Sequence, residues 1–368
     1  MRDDDSGPSR PWLPGSATGI GSMPGTNPAE AMRVIAGELP DFPHLPELPA
    51  RGPGADLTGR TAALLVDMPV EVTPRGWRLA ERPGRDLARA RSMLSSDLDV
   101  MEEVIDGFAG PVKVQLCGPW TLAATLELPR TLNVAIADPG AVADLTASLA
   151  EGAAAHVAEI AKRLPGAQVV VQFDEPALPA VAGGEVPTAS GLSRLRPVED
   201  EVLRDRLAEV LASVQGYTVV HSCATAVPFG LIRTAGADAL SFDLSQLRRG
   251  EEDGIAEAAE VGLGLLIGAV SAVQEPGTGT RAQQGGKLLV PGPTGPGDGS
   301  AEARQTADWI IRVWRRLGLP LATAPDQVVI SPACGLAGAS PAYARAALTR
   351  CREAASMLAE LIEETRES

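Results

Sequence analysis

Short apolar runs rich in Val, Ile and Leu alternate along this chain with longer stretches in which Leu, Ala, Val and Ile recur at helical spacing. The runs read as strands near 17–20, 63–68, 112–116, 169–173, 217–220, 239–242, 264–267 and 328–330. The stretches 86–107, 138–164, 198–214, 254–261, 301–317 and 341–364 read as helices, with Pro139 and Pro341 where a first helical turn accepts proline. Eight strands linked by helical crossovers predict an α/β chain folded as a closed (β/α)8 TIM barrel, whose active site would lie at the C-terminal strand ends. An open doubly wound sheet is the rival. Closure is favoured because the phrases that carry chemistry follow the first, fourth, fifth, sixth and eighth strands.

The chemistry is concentrated in two phrases far apart in sequence, His221-Ser222-Cys223 and Ala333-Cys334-Gly335. Each closes a β-rich run. The chain has 3 His and 4 Cys, so three of seven at strand ends is a pattern that chance does not readily produce. Asp243 ends another such run. Two thiolates, an imidazole and a carboxylate make a tetrahedral zinc set, against the plainer reading of Cys as a small buried hydrophobe. Zinc with two thiolates and a carboxylate carries net negative charge, a poor Lewis acid but a site that deprotonates an entering thiol. Alkyl transfer to sulfur suits it better than hydrolysis.

Three further phrases qualify this picture. Asp174-Glu175-Pro176-Ala177 delivers two carboxylates to a strand end, where Asp174 could meet an ammonium group or simply cap a helix. The glycines of 18–24 allow close backbone approach to an anion, and 44–49 forms a proline-stiffened loop with His44 and Glu47. Trp120 could stack on a planar ligand or pack. His156 and Cys351, inside helical stretches, read as structural.

A net charge of −15, with Lys only at 113, 162 and 287, argues against nucleic-acid and anionic-membrane partners. The acidic, polar start is unlike a secretory leader, and the apolar stretch 261–273 is too short to span a bilayer. A cytoplasmic protein is expected, its cysteines reduced. Residues 1–14 read as a disordered tail, 15–368 as one zinc-binding barrel, and the Gly- and Pro-rich 274–300 as a flexible loop.

Taken together, Ile20-Gly21-Ser22-Met23-Pro24, Asp174-Glu175-Pro176-Ala177, His221-Ser222-Cys223 and Pro332-Ala333-Cys334-Gly335-Leu336 resemble the C-terminal catalytic barrel of cobalamin-independent methionine synthase and its shorter single-barrel relatives. The resemblance runs from about residue 18 to the last helix. It implies zinc on His221, Cys223 and Cys334, with Asp243 where the long enzymes have Glu. It also implies homocysteine held by the backbone of Ile20, Gly21 and Ser22 and by Asp174. Glu47 stands at a loose echo of a further homocysteine-binding Glu, and Trp120 would flank the donor. The implied reaction is a zinc-dependent S-methyl transfer to homocysteine, forming methionine. The second barrel of the long enzymes is lacking and basic residues are few, so methylcobalamin or a corrinoid protein is the expected donor and methyltetrahydrofolate the alternative. Arg51 and Arg60 could still make a local anion site. The same barrel resembles uroporphyrinogen decarboxylase, to which Gly118-Pro119-Trp120 is closer. A metal-free decarboxylase-like enzyme and a corrinoid- or pterin-binding protein with structural zinc are therefore the rival readings.

Overall fold

The computed structural model describes residues 10–273 and 299–367. Its centre is a six-stranded parallel sheet in the order β3 (Pro111–Cys117), β4 (Gln168–Asp174), β5 (Tyr217–Ser222), β6 (Ala239–Asp243), β7 (Gly264–Val270) and β8 (Val328–Pro332). These are six of the eight expected strands, each followed by helical chain. Their residues are almost all buried, as expected of parallel strands covered on both faces. All six expected helices form within a few residues of their expected bounds, the one expected at 301–317 as Gly299–Arg316. Asp138 caps the helix Pro139–Arg163 through the N–H groups of Gly140 and Ala141, and Pro139 opens it.

The sheet curls. Alternate strand residues Val170, Tyr217, Val219, Ala239, Leu266 and Val329 gather with Trp12 and Phe42 into one inner cluster, separate from the large apolar layer between strands and helices. Trp12 stacks on Phe42 at 5.9 Å and meets Tyr217 edge-on at 5.1 Å. Trp12 is 5% exposed and Arg10 donates to the Gly262 carbonyl, so these two residues inside the expected 1–14 tail are held against the fold, whereas Leu13 is exposed.

The first two strand positions differ from expectation. Residues 63–68 form no strand: the helix Leu57–Ala62, capped by Asp56, runs into a turn there, and Ala62, Ala63 and Leu65 are buried against the helical layer. The ladder position is taken instead by 43–47. Leu45 N–H donates to the Lys113 carbonyl, Lys113 N–H to Pro43, and Glu47 N–H to Gly21. Pro43 and Pro46 thus lack N–H groups where no ladder bond calls for one. On its other side 16–23 reaches both neighbours: Met23 N–H donates to Glu47, and Thr18 N–H to Ile330 of β8. A separate antiparallel hairpin, β1 (Val70–Thr73) and β2 (Gly76–Leu79), follows. The flexible loop expected at 274–300 lies, but for its last two residues, outside the described residues. Among the described residues, no helix is long and apolar enough to cross a membrane.

Candidate active site

The chemical side chains gather where the strands end. β5 carries His221 near its end, and Cys223 follows one residue beyond it; Cys334 lies two residues beyond β8. Although 111 residues separate them, the two sulfurs are 2.9 Å apart. Either sulfur could donate in that contact. Cys334 is drawn down to about 4, first by that hydrogen bond and then by His221, and Cys223 is pushed up. His221 Nδ1 is hydrogen bonded to Ser241 Oγ at 2.8 Å, its register partner on β6, which fixes the ring. Its Nε2 is buried and has no partner at hydrogen-bond geometry, although the ring lies close enough to Cys334 to draw that thiol down.

Asp243 closes β6 but is turned into its own loop. Its Oδ1 accepts from Ser245 N–H at 2.8 Å and Ser245 Oγ at 2.7 Å, and burial raises its pKa despite those bonds. Accordingly, among the described residues no three or more His, Cys, Asp or Glu side chains form a group that could hold a metal. The structure brings together two sulfurs and an orphaned imidazole nitrogen, and leaves the fourth expected ligand aside. The donor chemistry nevertheless fits zinc: soft sulfur and imidazole, with a ring nitrogen that has no other use for its lone pair or proton.

Asp174 ends β4 beside His221 in the register and is 6% exposed. Burial pushes its pKa well up, Glu47 adds to that, and Lys113 and a hydrogen bond from Gln172 oppose it. Glu47, also buried, is raised by desolvation against the pull of Arg60, 3.8 Å away, and Lys113. Ser22 pairs with Glu47 in the ladder and lies against the Cys334 turn, where Leu336 N–H donates to its carbonyl. A Cβ on Gly335 would stand 2.0 Å from Ser22 Oγ, so any other residue there would displace the Ser22 hydroxyl. Ile20, Gly21, Ser22, Glu47, Asp174 and the thiol pair therefore share one end of the sheet.

Two expectations change. Trp120 is 1% exposed and its indole N–H donates to the Leu203 carbonyl at 3.0 Å, so it packs against the helix Asp200–Ser213, the plainer of its two readings. Arg51 and Arg60 both bind Asp97, at 2.6 and 2.5 Å, which takes the guanidinium charge proposed for an anion site. Glu175, adjacent to Asp174, is structural. It accepts from the N–H groups of Trp120 and Thr121 and from the Thr121 hydroxyl. Lys113 and Gln172 have no assigned role in the sequence reading. Their signal was a polar residue inside each of the apolar runs Val112-Lys113-Val114 and Val171-Gln172-Phe173.

Residues 15–272 match the family described as cobalamin-independent synthase, catalytic domain. The chain belongs to that family. With it comes the class of enzyme, a methyltransferase. The match ends before Cys334, which is placed by the fold alone. Among solved structures the chain is similar to a B12-independent methionine synthase from Shewanella sp. W3-18-1 in complex with selenomethionine, with 13% identity, a TM-score of 0.56, and coverage of 97% of this chain and 99% of that one. It is also similar to a methyltransferase from Methanosarcina mazei, with 18% identity, a TM-score of 0.56, and coverage of 93% of each chain. Identities this low speak for the fold: a curled parallel sheet like that of the synthase catalytic domain. No curated protein matches.

Proposed function

We propose that this chain methylates the thiol of homocysteine to give methionine, in the cytoplasm, on a (β/α)8 barrel closed by the segments 16–23 and 43–47. The observation that carries the reading is the meeting of Cys223 and Cys334 beside the partnerless Nε2 of His221, within one register step of Asp174. His221, Cys223 and Cys334 would hold zinc, and Asp243 would complete the set by giving up its loop contacts. Zinc at such a donor set supplies deprotonation of a coordinated thiol.

The chain's own residues do the rest. Asp174, assisted by Glu47, receives the substrate ammonium, a charge-assisted contact in a site where burial strengthens it. Ser22 and the backbone of Ile20 and Gly21 receive the carboxylate. With both ends held, the sulfur is presented in line with the methyl group, and proximity contributes much of the rate. The sulfur–methyl bond forms as the methyl–donor bond breaks, its electron pair leaving with the donor. The expectation of methylcobalamin or a corrinoid protein runs against the family's description as cobalamin-independent. Methyltetrahydrofolate is accordingly the donor to try first.

Purified protein should contain about one zinc per chain and should form methionine from homocysteine and a methyl donor. Zinc-free protein that turns over, or zinc-loaded protein that gives no methionine with either donor, would overturn the reading.

A further inference from the structure

Beneath the site lies a wholly buried lysine that no catalytic step requires. Lys113 of β3 donates from Nζ to the Ile20 carbonyl at 2.8 Å and to Gln172 Oε1 at 2.6 Å. Gln115, with its amide turned to satisfy its neighbours, accepts from the same Nζ at 3.1 Å and donates to the Leu45 carbonyl at 3.0 Å. Three acceptor oxygens around one nitrogen use all three protons of an ammonium and leave no place for a lone pair. Gln172 then hands the arrangement on. Its Nε2 donates to Asp174 Oδ1 at 2.7 Å and to the Ile20 carbonyl at 2.9 Å.

An amide can turn over, exchanging its oxygen for its nitrogen, and either orientation fills the same space. Here only one orientation works. Lysine has donors and no acceptor, so Gln172 must face it with oxygen, and its NH2 must face Asp174. Asp174 and the Ile20 carbonyl, both acceptors on the amide's other side, favour the same orientation, and Lys113 reinforces it by holding the oxygen end.

We propose that Lys113 is a positioning residue for the amino end of the substrate: by fixing the orientation of the Gln172 amide it keeps Asp174 placed as an acceptor for the substrate ammonium. This rests on the proposed homocysteine reading and deepens it. It also makes an unusual sign prediction. A buried cation close to an ammonium-binding carboxylate ought, by Coulomb's law alone, to weaken ammonium binding, so its removal should tighten it. The relay requires the reverse, because the lost orientation of Gln172 and Asp174 outweighs the lost repulsion. Burial lowers the Lys113 pKa to about 7 against the pull of Asp174 and Glu47; Arg60, Asp56 and Asp97 are the further charged groups around Glu47, and the substitution leaves all of these in place.

The test is calorimetric binding of homocysteine and of 4-mercaptobutanoate, which lacks the amine, to zinc-loaded protein. Wild type should prefer homocysteine. Lys113→Met and Gln172→Met should each weaken homocysteine about tenfold or more while changing 4-mercaptobutanoate by less than about threefold, since a charge-assisted contact is at stake only in the first. The double variant should be no worse than either single one, as for residues acting in series. Circular dichroism and zinc content report whether each variant folds; if Lys113→Met does not, the Gln172→Met comparison decides. Tighter homocysteine binding in Lys113→Met, additive losses in the double variant, equal losses for both ligands, or a wild type without preference for the amine would each overturn the proposal. A wild type that prefers homocysteine yet forms no methionine would overturn the proposed reaction and leave the binding comparison to decide the relay.

Discussion

The two ends of the curled sheet are built from opposite materials. Toward the starts of the strands Trp12, Phe42 and Tyr217 close an apolar cluster of ring-on-ring contacts. Toward the strand ends, Cys223, Cys334, His221, Asp174 and Glu47 crowd together, with a partnerless ring nitrogen and two carboxylates whose ionised forms burial disfavours. One end lowers the free energy of the fold; the other raises it and keeps groups ready for a ligand. Such a separation lets the site be varied without loss of the scaffold.

The sharpest break of this contrast is at the thiols. Cys223→Ser or Cys334→Ser should remove zinc and reduce methionine formation below detection, because losing one thiolate leaves too few soft donors. Stability of the metal-free proteins should match metal-free wild type within about 1 kcal/mol. Full zinc in both variants would show that these sulfurs are not its ligands. At the other end, Trp12→Ala should do the reverse, destabilising by about 3–5 kcal/mol through lost burial and the cavity left behind. Zinc content and the Michaelis constant at low temperature should be unchanged. A denaturation midpoint equal to wild type would mean the inner cluster does not need its plug.

Within the site, Asp174→Asn should raise the Michaelis constant for homocysteine about 10- to 150-fold, equivalent to about 1.5–3 kcal/mol for a charge-assisted contact, with zinc retained. Normal kinetics would return Asp174 to the plain role that Glu175 in fact performs at the start of the helix Pro119–Thr125.

The same contrast governs what the sequence could reveal. The six regular strands were legible because each is an apolar run long enough to be buried on both faces, such as Val169 to Phe173 on β4. The residues 43–47 were not, since Pro43 and Pro46 argue against a strand unless one knows that their N–H groups face no acceptor. The opposite error at 63–68 came from an apolar run that is buried against helices and not in a ladder. The thiols and His221 stood out as rare residue types at strand ends, whereas Lys113 and Gln172 acquire meaning only from distances across the interior. Trp120 shows the limit of residue type alone: its indole finds a backbone carbonyl, and nothing local in sequence distinguishes that from an open face.

An effect absent at neutral pH concerns the outer layer and acid. His156, in the helix Pro139–Arg163, is 5% exposed, and burial, then the nearby charge of Arg60, depress its pKa to about 4. His44 is depressed further, to about 3, by burial and Lys113. Between about 6.5 and these values the unfolded chain takes up protons that the folded chain refuses, so stability is complete above about 6.5 and declines as pH falls. For His156 alone the decline is on the order of 2–3 kcal/mol by pH 4. It lies on a helix away from both ends, so the effect belongs to the scaffold and not to the site. Thermal denaturation at pH 7, 6 and 5 should show the wild-type midpoint falling faster than that of His156→Leu, compared at equal metal content. Leucine fills similar space without a proton to gain, so the variant keeps only the slope that His44 and the carboxylates impose. Parallel profiles for the two proteins would mean that the imidazole reaches water in the folded state and that the scaffold's acid sensitivity comes from elsewhere.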